Sequence, residues 1–227
     1  MRAIALIVAL IVAPQVAAQS LLPTTDASFA VRVKTLREVR QHELFRTTVR
    51  QQFDFSCGSA ALATLLTYHY RRPTDEATAF RAMFEHGDRQ RIEREGFSML
   101  DMKRYLDSLG YDSDGFEATL DELREAGVPA IALVQENGYS HFVVVKGIDT
   151  THVLLGDPAL GTRVVTREHF LASWRLEVFF IIKSHSEHAR FNEAAHWRFR
   201  QPAPLADSVA GESQATAVLM RPGRNEF

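Results

Sequence analysis

The 227-residue sequence contains a single cysteine, Cys57, so no intrachain disulfide can staple the fold. Positive charge is not in excess either. Lys and Arg number 26 against 28 Asp and Glu, a formal net charge of −2, which supplies no electrostatic drive toward nucleic acid. The apolar run at residues 4–13 is too short to span a bilayer, and no second run of spanning length follows it. There is no Gly-x-x-x-x-Gly-Lys-Ser/Thr loop to cradle a nucleotide phosphate, so ATP is not an expected partner. None of the 12 glycines is adjacent to another, which argues against self-processing at a double-glycine leader. What remains is a composition that is 46% hydrophobic and 24% charged, ordinary for a globular protein, in a chain long enough to bury one real core.

The N-terminus sets the expected compartment. Arg2, the short apolar run interrupted at Pro14, and the small residues Val16, Ala17 and Ala18 read as a signal peptide over residues 1–18, cleaved after Ala18. The mature chain is then exported to the periplasm, without a membrane span. Export makes the lone cysteine informative, because a secreted protein that used sulfur for stability would carry an even set. Free cysteine is often just a small buried hydrophobe. The neighbours of Cys57 have to decide between that and a nucleophile.

Residues 19–49 form an N-terminal extension. Its second half, with Val31, Val33, Leu36 and Val39, predicts a short strand or irregular helix that packs its apolar side. From Cys57 to Tyr70 the sequence is apolar all round, as in a helix at the centre of a domain. Pro73 interrupts it, Thr74 starts a second helix through Ala77, Phe80, Met83 and Phe84, and residues 88–95 are a solvated charge run. Ser98 caps a third helix that Gly110 closes, and residues 120–125 make a short fourth. The period then changes to strands at 130–135, 141–145, 153–156, 163–166 and 178–183. Helices first and strands second, with hairpin-length connections, define an α+β class: N-terminal helices packed on a C-terminal antiparallel sheet. Residues 184–227 are read as a docked segment followed by a loose tail. His185, His188 and His196 lie there, but with no cysteine or helical two-His pair to support a metal site.

Cys57 sits where a helix begins, so unpaired backbone N–H groups and the macrodipole are expected to favour thiolate over thiol. Gly58 leaves room for an acyl group to approach, and the N–H of Cys57 can point at a developing oxyanion. Gln51, in the preceding loop, can return a side-chain amide to the same place. A base and its orienter come from the hairpin of residues 141–157. A turn centred on Asp149 places His141 directly opposite Asp157, in hydrogen-bonding reach, at the open end of a face carrying Val143, Val145, Val153 and Leu155. A lone His or an Asp-Pro turn is ordinary. The combination with Cys57 favours catalysis.

Three blocks carry a family resemblance: Gln51-Gln52-Phe53-Asp54-Phe55-Ser56-Cys57-Gly58-Ser59-Ala60-Ala61-Leu62, His141-Phe142-Val143-Val144-Val145, and Asp157-Pro158-Ala159-Leu160-Gly161. In order and spacing they resemble the bacteriocin-processing, double-glycine peptidases, papain-like cysteine peptidase domains best known from ABC exporters. The resemblance covers residues 50–183. It implies a papain-like fold, a cysteine peptidase activity on a polypeptide substrate, Cys57 as nucleophile, His141 as general base and acid, Asp157 as orienter and Gln51 as oxyanion donor, with no cofactor. The sequence lacks the exporters' transport and ATPase parts. An exported, free-standing chain with a Val49-Arg50-Gln51-Gln52 entry is most similar in layout to the peptidase-like accessory proteins of Fap-type functional-amyloid secretion. That layout points to an exported amyloid, another secreted protein or a component of the secretion machinery as partner. Two other readings stay open: a docking or chaperone module that has lost turnover, and an acyl transferase using the same triad.

Overall fold

The computed structural model describes residues 35–53, 55–136 and 138–200. The expected signal peptide, Asp54 of the first block and the tail from residue 201 lie outside the described residues. Among the described residues, seven α-helices precede, interrupt or cover a six-stranded antiparallel sheet. The first helix, α1 (Leu36–Leu44), is closed at its N-terminus by a capping box between Thr35 and Glu38. Of the expected apolar side, Val31 and Val33 lie outside the described residues, and Leu36 and Val39 are exposed rather than packed, in a helix with no buried residue.

The central helix α2 (Cys57–Thr64) continues as a π-helical turn over Leu65–His69. All eight residues of α2 are buried, as its all-round apolar composition requires. Around it pack α3 (Glu76–His86), α4 (Arg89–Glu95) and α5 (Met99–Ser108). Asp75, not Thr74, caps α3, because its carboxylate accepts the Thr78 N–H at 2.7 Å. The charge run forms α4, exposed except for Ile92. Ser98 and Asp101 close a capping box on α5 as the sequence predicts for Ser98, and Gly110 beyond its end has φ +82°, the left-handed region that suits glycine.

The strands are β1 (Ser113–Glu117), β2 (Ala130–Glu136), β3 (Tyr139–Ile148), β4 (His152–Asp157), β5 (Gly161–Thr166) and β6 (Trp174–Ile182), in the order β1-β6-β2-β3-β4-β5. Both faces are covered. Ile131, Val144 and Phe180 join Leu62, Leu65 and Met102 under α2 and α5, while Ala132, Val143, Val145, Val153, Leu155 and Phe179 form a second cluster with residues of α6 (Leu120–Ala126) and α7 (Arg167–Ser173). This is why the strands read as nearly continuous Val and Ile runs. The fold is therefore the α+β, papain-like arrangement, with two additions: the edge strand β1, whose sequence Ser-Asp-Gly-Phe-Glu carries almost no strand signal, and α7.

The β3–β4 hairpin departs from the expected register. The backbone N–H of Asp149 donates to His152 O, and Asp149 Oδ1 accepts the Thr151 and His152 N–H groups, which centres the turn later than Asp149. A bulge at Lys146 shifts the ladder again, so Val144 pairs with Gly156 and Val145 with Leu155. His141 consequently does not face Asp157 across the ladder. It pairs instead with Val134 of β2 and reaches Asp157 diagonally, past the last β3–β4 pair.

Lys146 is fully buried, its Nζ donating to Thr47 O and Oγ1 and to Thr162 Oγ1, and so it ties the chain entering the site to the bulge. Beside it the C-terminal segment docks: Asn192 Nδ2 donates to Ile148 O, Asn192 Oδ1 accepts the Ile148 N–H, and Arg190 and His69 exchange two bonds. Burial pulls the Lys146 ammonium down to about 7. Unfolded lysine keeps its proton to about pH 10. Between those values the unfolded chain binds more protons than the folded one, so this site's contribution to stability rises with pH. The melting temperature of Lys146→Met minus that of wild type should fall as pH goes from about 7 to about 9.5; a constant difference would contradict this account of Lys146.

Candidate active site

Cys57 opens α2 at the point where the chain leaves the loop of residues 51–56. Two anchors hold that loop. The backbone N–H of Gln51 donates to Pro158 O at 3.0 Å, tying it to the turn after Asp157, and Glu76 Oε1 accepts from the Gln52 N–H and the Ser56 hydroxyl. Glu76 is itself buried on α3. At Cys57 the N–H groups of Phe142, Gly58 and Cys57 itself face the sulfur and favour the thiolate. Burial outweighs them: with the residue 8% exposed and the Asp157 charge adding to the effect, the thiol lies above its ordinary value. The helix N-terminus therefore does not bring the thiol below its ordinary value, against the sequence expectation.

Phe142, whose N–H faces the sulfur, follows His141 directly in β3. His141 Nε2 lies 3.1 Å from Asp157 Oδ2. Burial pushes the Asp157 carboxyl up, but the hydrogen bond and charge of His141, the nearby Arg163 and the Ala159 N–H together hold it below its ordinary value. Asp157 is thus an acceptor, Nε2 must carry the hydrogen, and in the neutral ring Nδ1 is left as a bare lone pair. Nδ1 is buried and has no hydrogen-bond partner. The Tyr139 ring stacks on the imidazole, with centroids 6.1 Å apart.

Gly58 does a different job from the one its sequence position suggests. A Cβ there would lie 2.9 Å from Phe97 Cβ and 3.0 Å from Met102 Cε, so the missing side chain admits the core rather than an acyl group. Cys57 opens into a cavity of about 700 Å³ whose walls include Phe55, Phe97, Met99, Leu133 and Phe142. A larger cavity of about 980 Å³, between α6 and α7, contains none of Cys57, His141, Asp157 or Gln51. Sequence reading also missed Leu176. Residues 175–178 bulge out of β6 opposite Leu133, with Leu176 and Glu177 both at left-handed φ (+66° and +52°), and this strained excursion brings the exposed Leu176 to the Cys57 cavity. No glycine marks the spot. Among the described residues no group of three or more His, Cys, Asp and Glu is placed to hold a metal ion.

The sequence and the fold have known relatives. Residues 46–187 match the Peptidase C39 family. The chain is 40% identical over 153 residues to a probable functional amyloid protease, FapD, of Pseudomonas fluorescens, covering 67% of each chain. With the probable functional amyloid protease FapD of Pseudomonas aeruginosa it shares 40% over 151 residues, 66% of this chain and 65% of that one. It thus spans about two thirds of the length of these relatives. The crystal structure of the peptidase domain of Streptococcus ComA, a bifunctional ABC transporter involved in quorum sensing, shares the fold, with a TM-score of 0.51 at 20% identity over 60% of this chain and 96% of that one. The chain belongs to the Peptidase C39 family and is a cysteine peptidase.

Packing at Gly58 gives a direct test of the site's scaffold. Gly58→Ala should destabilise the protein by about 1–3 kcal/mol, because Phe97 and Met102 must both shift. A melting temperature equal to that of wild type would show that the contact is slack.

Proposed function

We propose that the protein is a periplasmic endopeptidase that cuts an exported polypeptide of a functional-amyloid system, using Cys57, His141, Asp157 and Gln51. One observation carries the chemical part: the buried, unpartnered Nδ1 of an imidazole whose Nε2 is held by a carboxylate. The Cys57 proton moves to that nitrogen, and the sulfur attacks the scissile carbonyl carbon. The carbonyl oxygen becomes an oxyanion met by the Cys57 N–H, which has no intrahelical acceptor, and by the Gln51 side-chain amide. Collapse passes the proton from Nδ1 to the leaving amine and leaves a thioester on Cys57. Water then gives a proton to Nδ1, its oxygen attacks the thioester carbon, and the proton returns to the departing sulfur. Asp157 keeps the ring in one tautomer and stabilises the imidazolium throughout.

The apolar walls of the Cys57 cavity suit an extended polypeptide with nonpolar side chains near the cut. The amyloid assignment is supported by the two relatives at 40% identity, each described as a probable functional amyloid protease. The periplasmic location rests on the signal-like residues 1–18.

Cleavage of co-expressed amyloid subunits and secretion components by purified protein tests the whole reading. Cys57→Ala and His141→Ala should each abolish cleavage without changing the fold, and Asp157→Asn should be impaired less completely. Gln51→Ala should lose roughly a hundredfold in turnover with little change in substrate binding. Gln52 is exposed and its backbone, not its side chain, bonds Glu76, so Gln52→Ala should stay near wild type. Undiminished cleavage by Cys57→Ala would remove the nucleophile from the account, and a collapse in Gln52→Ala alone would show that the donor was wrongly assigned.

A further inference from the structure

Asp157 Oδ2 serves two donors. Besides His141 Nε2 it accepts from Arg163 on β5, whose Nε and Nη2 both lie 3.1 Å away. Arg163 Nη2 also donates to Glu136 Oε1 at 2.9 Å, at the end of β2, where His169 Nε2 of α7 approaches the same oxygen at 3.4 Å. The Arg163 and Glu136 side chains are only 19% and 18% exposed, so solvent screens their charges poorly. Arg163 is not among the residues that line the Cys57 cavity.

We propose that Arg163, itself set by Glu136, is a positioning residue that fixes the Asp157 carboxylate and, through it, both the aim of the His141 ring and the pH range in which the Cys57–His141 pair works. The inference rests on the reading of those residues as the catalytic pair. Two arguments support it. The first is geometric: Oδ1 of Asp157 is held by the Ala159 and Leu160 N–H groups, and Arg163 is the donor that holds Oδ2 when the ring moves or changes charge. A planar fork bridging two carboxylates resists rotation of either.

The second argument is electrostatic. The charged and titratable groups around the pair are Cys57 on α2, His141 and the stacked Tyr139 on β3, Asp157 on β4, Arg163 on β5, Glu136 on β2 and His169 on α7, with Arg91, Glu93, Arg94 and Glu95 of α4, two of each sign, on the wall of the Cys57 cavity. A nearby cation eases every proton loss from the thiol–imidazole pair, whichever member holds the proton. Removing Arg163 must therefore move the pair's titration to higher pH. Removing the anion of Glu136, which partly offsets Arg163, must move it lower.

Iodoacetamide provides a probe that needs no knowledge of the substrate. Because Cys57 is the only cysteine, the adduct that intact mass shows in wild type and not in Cys57→Ala treated alongside is that of Cys57. The alkylation rate is followed against pH for wild type and variants whose folding is checked by circular dichroism. Arg163→Met should raise the midpoint by about half a pH unit or more, and Glu136→Gln should lower it. Arg163→Lys, which keeps the charge but not the fork, should leave the midpoint near wild type while peptide cleavage falls several-fold. A purely structural role would change melting temperature without moving the two midpoints in opposite directions. Midpoints that stay in place, or move the same way, in Arg163→Met and Glu136→Gln overturn the inference; if Arg163→Met does not fold, an unmoved midpoint in Glu136→Gln is sufficient. His141→Ala separates the two levels: an unchanged curve there defeats the catalytic pair itself, whereas a changed curve with no response at Arg163 and Glu136 defeats the positioning role alone.

Discussion

Burying a carboxylate without hydrogen bonds is prohibitive, and the site is organised around meeting that requirement at Asp157. Its side chain is wholly shielded from solvent. The donors converge from separate parts of the chain: the Ala159 and Leu160 N–H groups of the following turn, Arg163 from the next strand, and His141 from the neighbouring one. Once the carboxylate is satisfied in this way, the imidazole is held by Nε2, and its second nitrogen is left buried without a hydrogen-bond partner. The burial that makes Asp157 demanding also pushes the Cys57 thiol above its ordinary value, which is why the proposed reaction gives the thiol proton to a base.

The rest of the fold positions the two halves of this arrangement relative to each other. Cys57 is fixed because α2 is buried over its full length and because Gly58 lets Phe97 and Met102 close on it. His141 is fixed by full pairing of its half of β3 with β2, which is buried on both faces. The Gln51–Pro158 backbone bond then links the loop before Cys57 to the turn after Asp157. Lys146, at the bulge that sets the hairpin register, reaches back to Thr47 on the strand of chain entering that loop. Helical and sheet layers are thus joined at the site by short polar ties, with the two apolar clusters supplying the bulk of the packing.

Much of this was legible in the sequence. The all-round apolar stretch after Cys57 could only be a central helix, the Ser98 cap is explicit, and the Val-rich segments have the length and composition of strands. The Cys, His and Asp blocks could be identified because each combines a chemically distinctive residue with a local break in pattern. What escaped reading depends on tertiary context. The β1 strand is held by its partner β6 rather than by its own composition, and the Leu176 bulge occurs where no glycine announces it. The hairpin register depended on which residues Asp149 bonds and on a bulge at a lysine, neither of which alternation encodes. His141 and Asp157 meet all the same, because both stand at the frayed end of the hairpin, where side chains can reach diagonally. Arg163 and Glu136 look like ordinary surface charges in sequence and become significant only when β2 and β5 bring them beside Asp157.

The central claim of the proposed mechanism is that His141 rests with hydrogen on Nε2, toward Asp157, and a bare lone pair on Nδ1 that can take the Cys57 proton. Nitrogen-15 NMR of histidine-labelled protein at neutral pH reads this directly, with the His141 resonances assigned by their loss in His141→Gln. The account predicts a protonated Nε2 and an unprotonated Nδ1. A resting ring that carries its hydrogen on Nδ1 and a lone pair on Nε2 would contradict it, because Nδ1 could not then take the thiol proton.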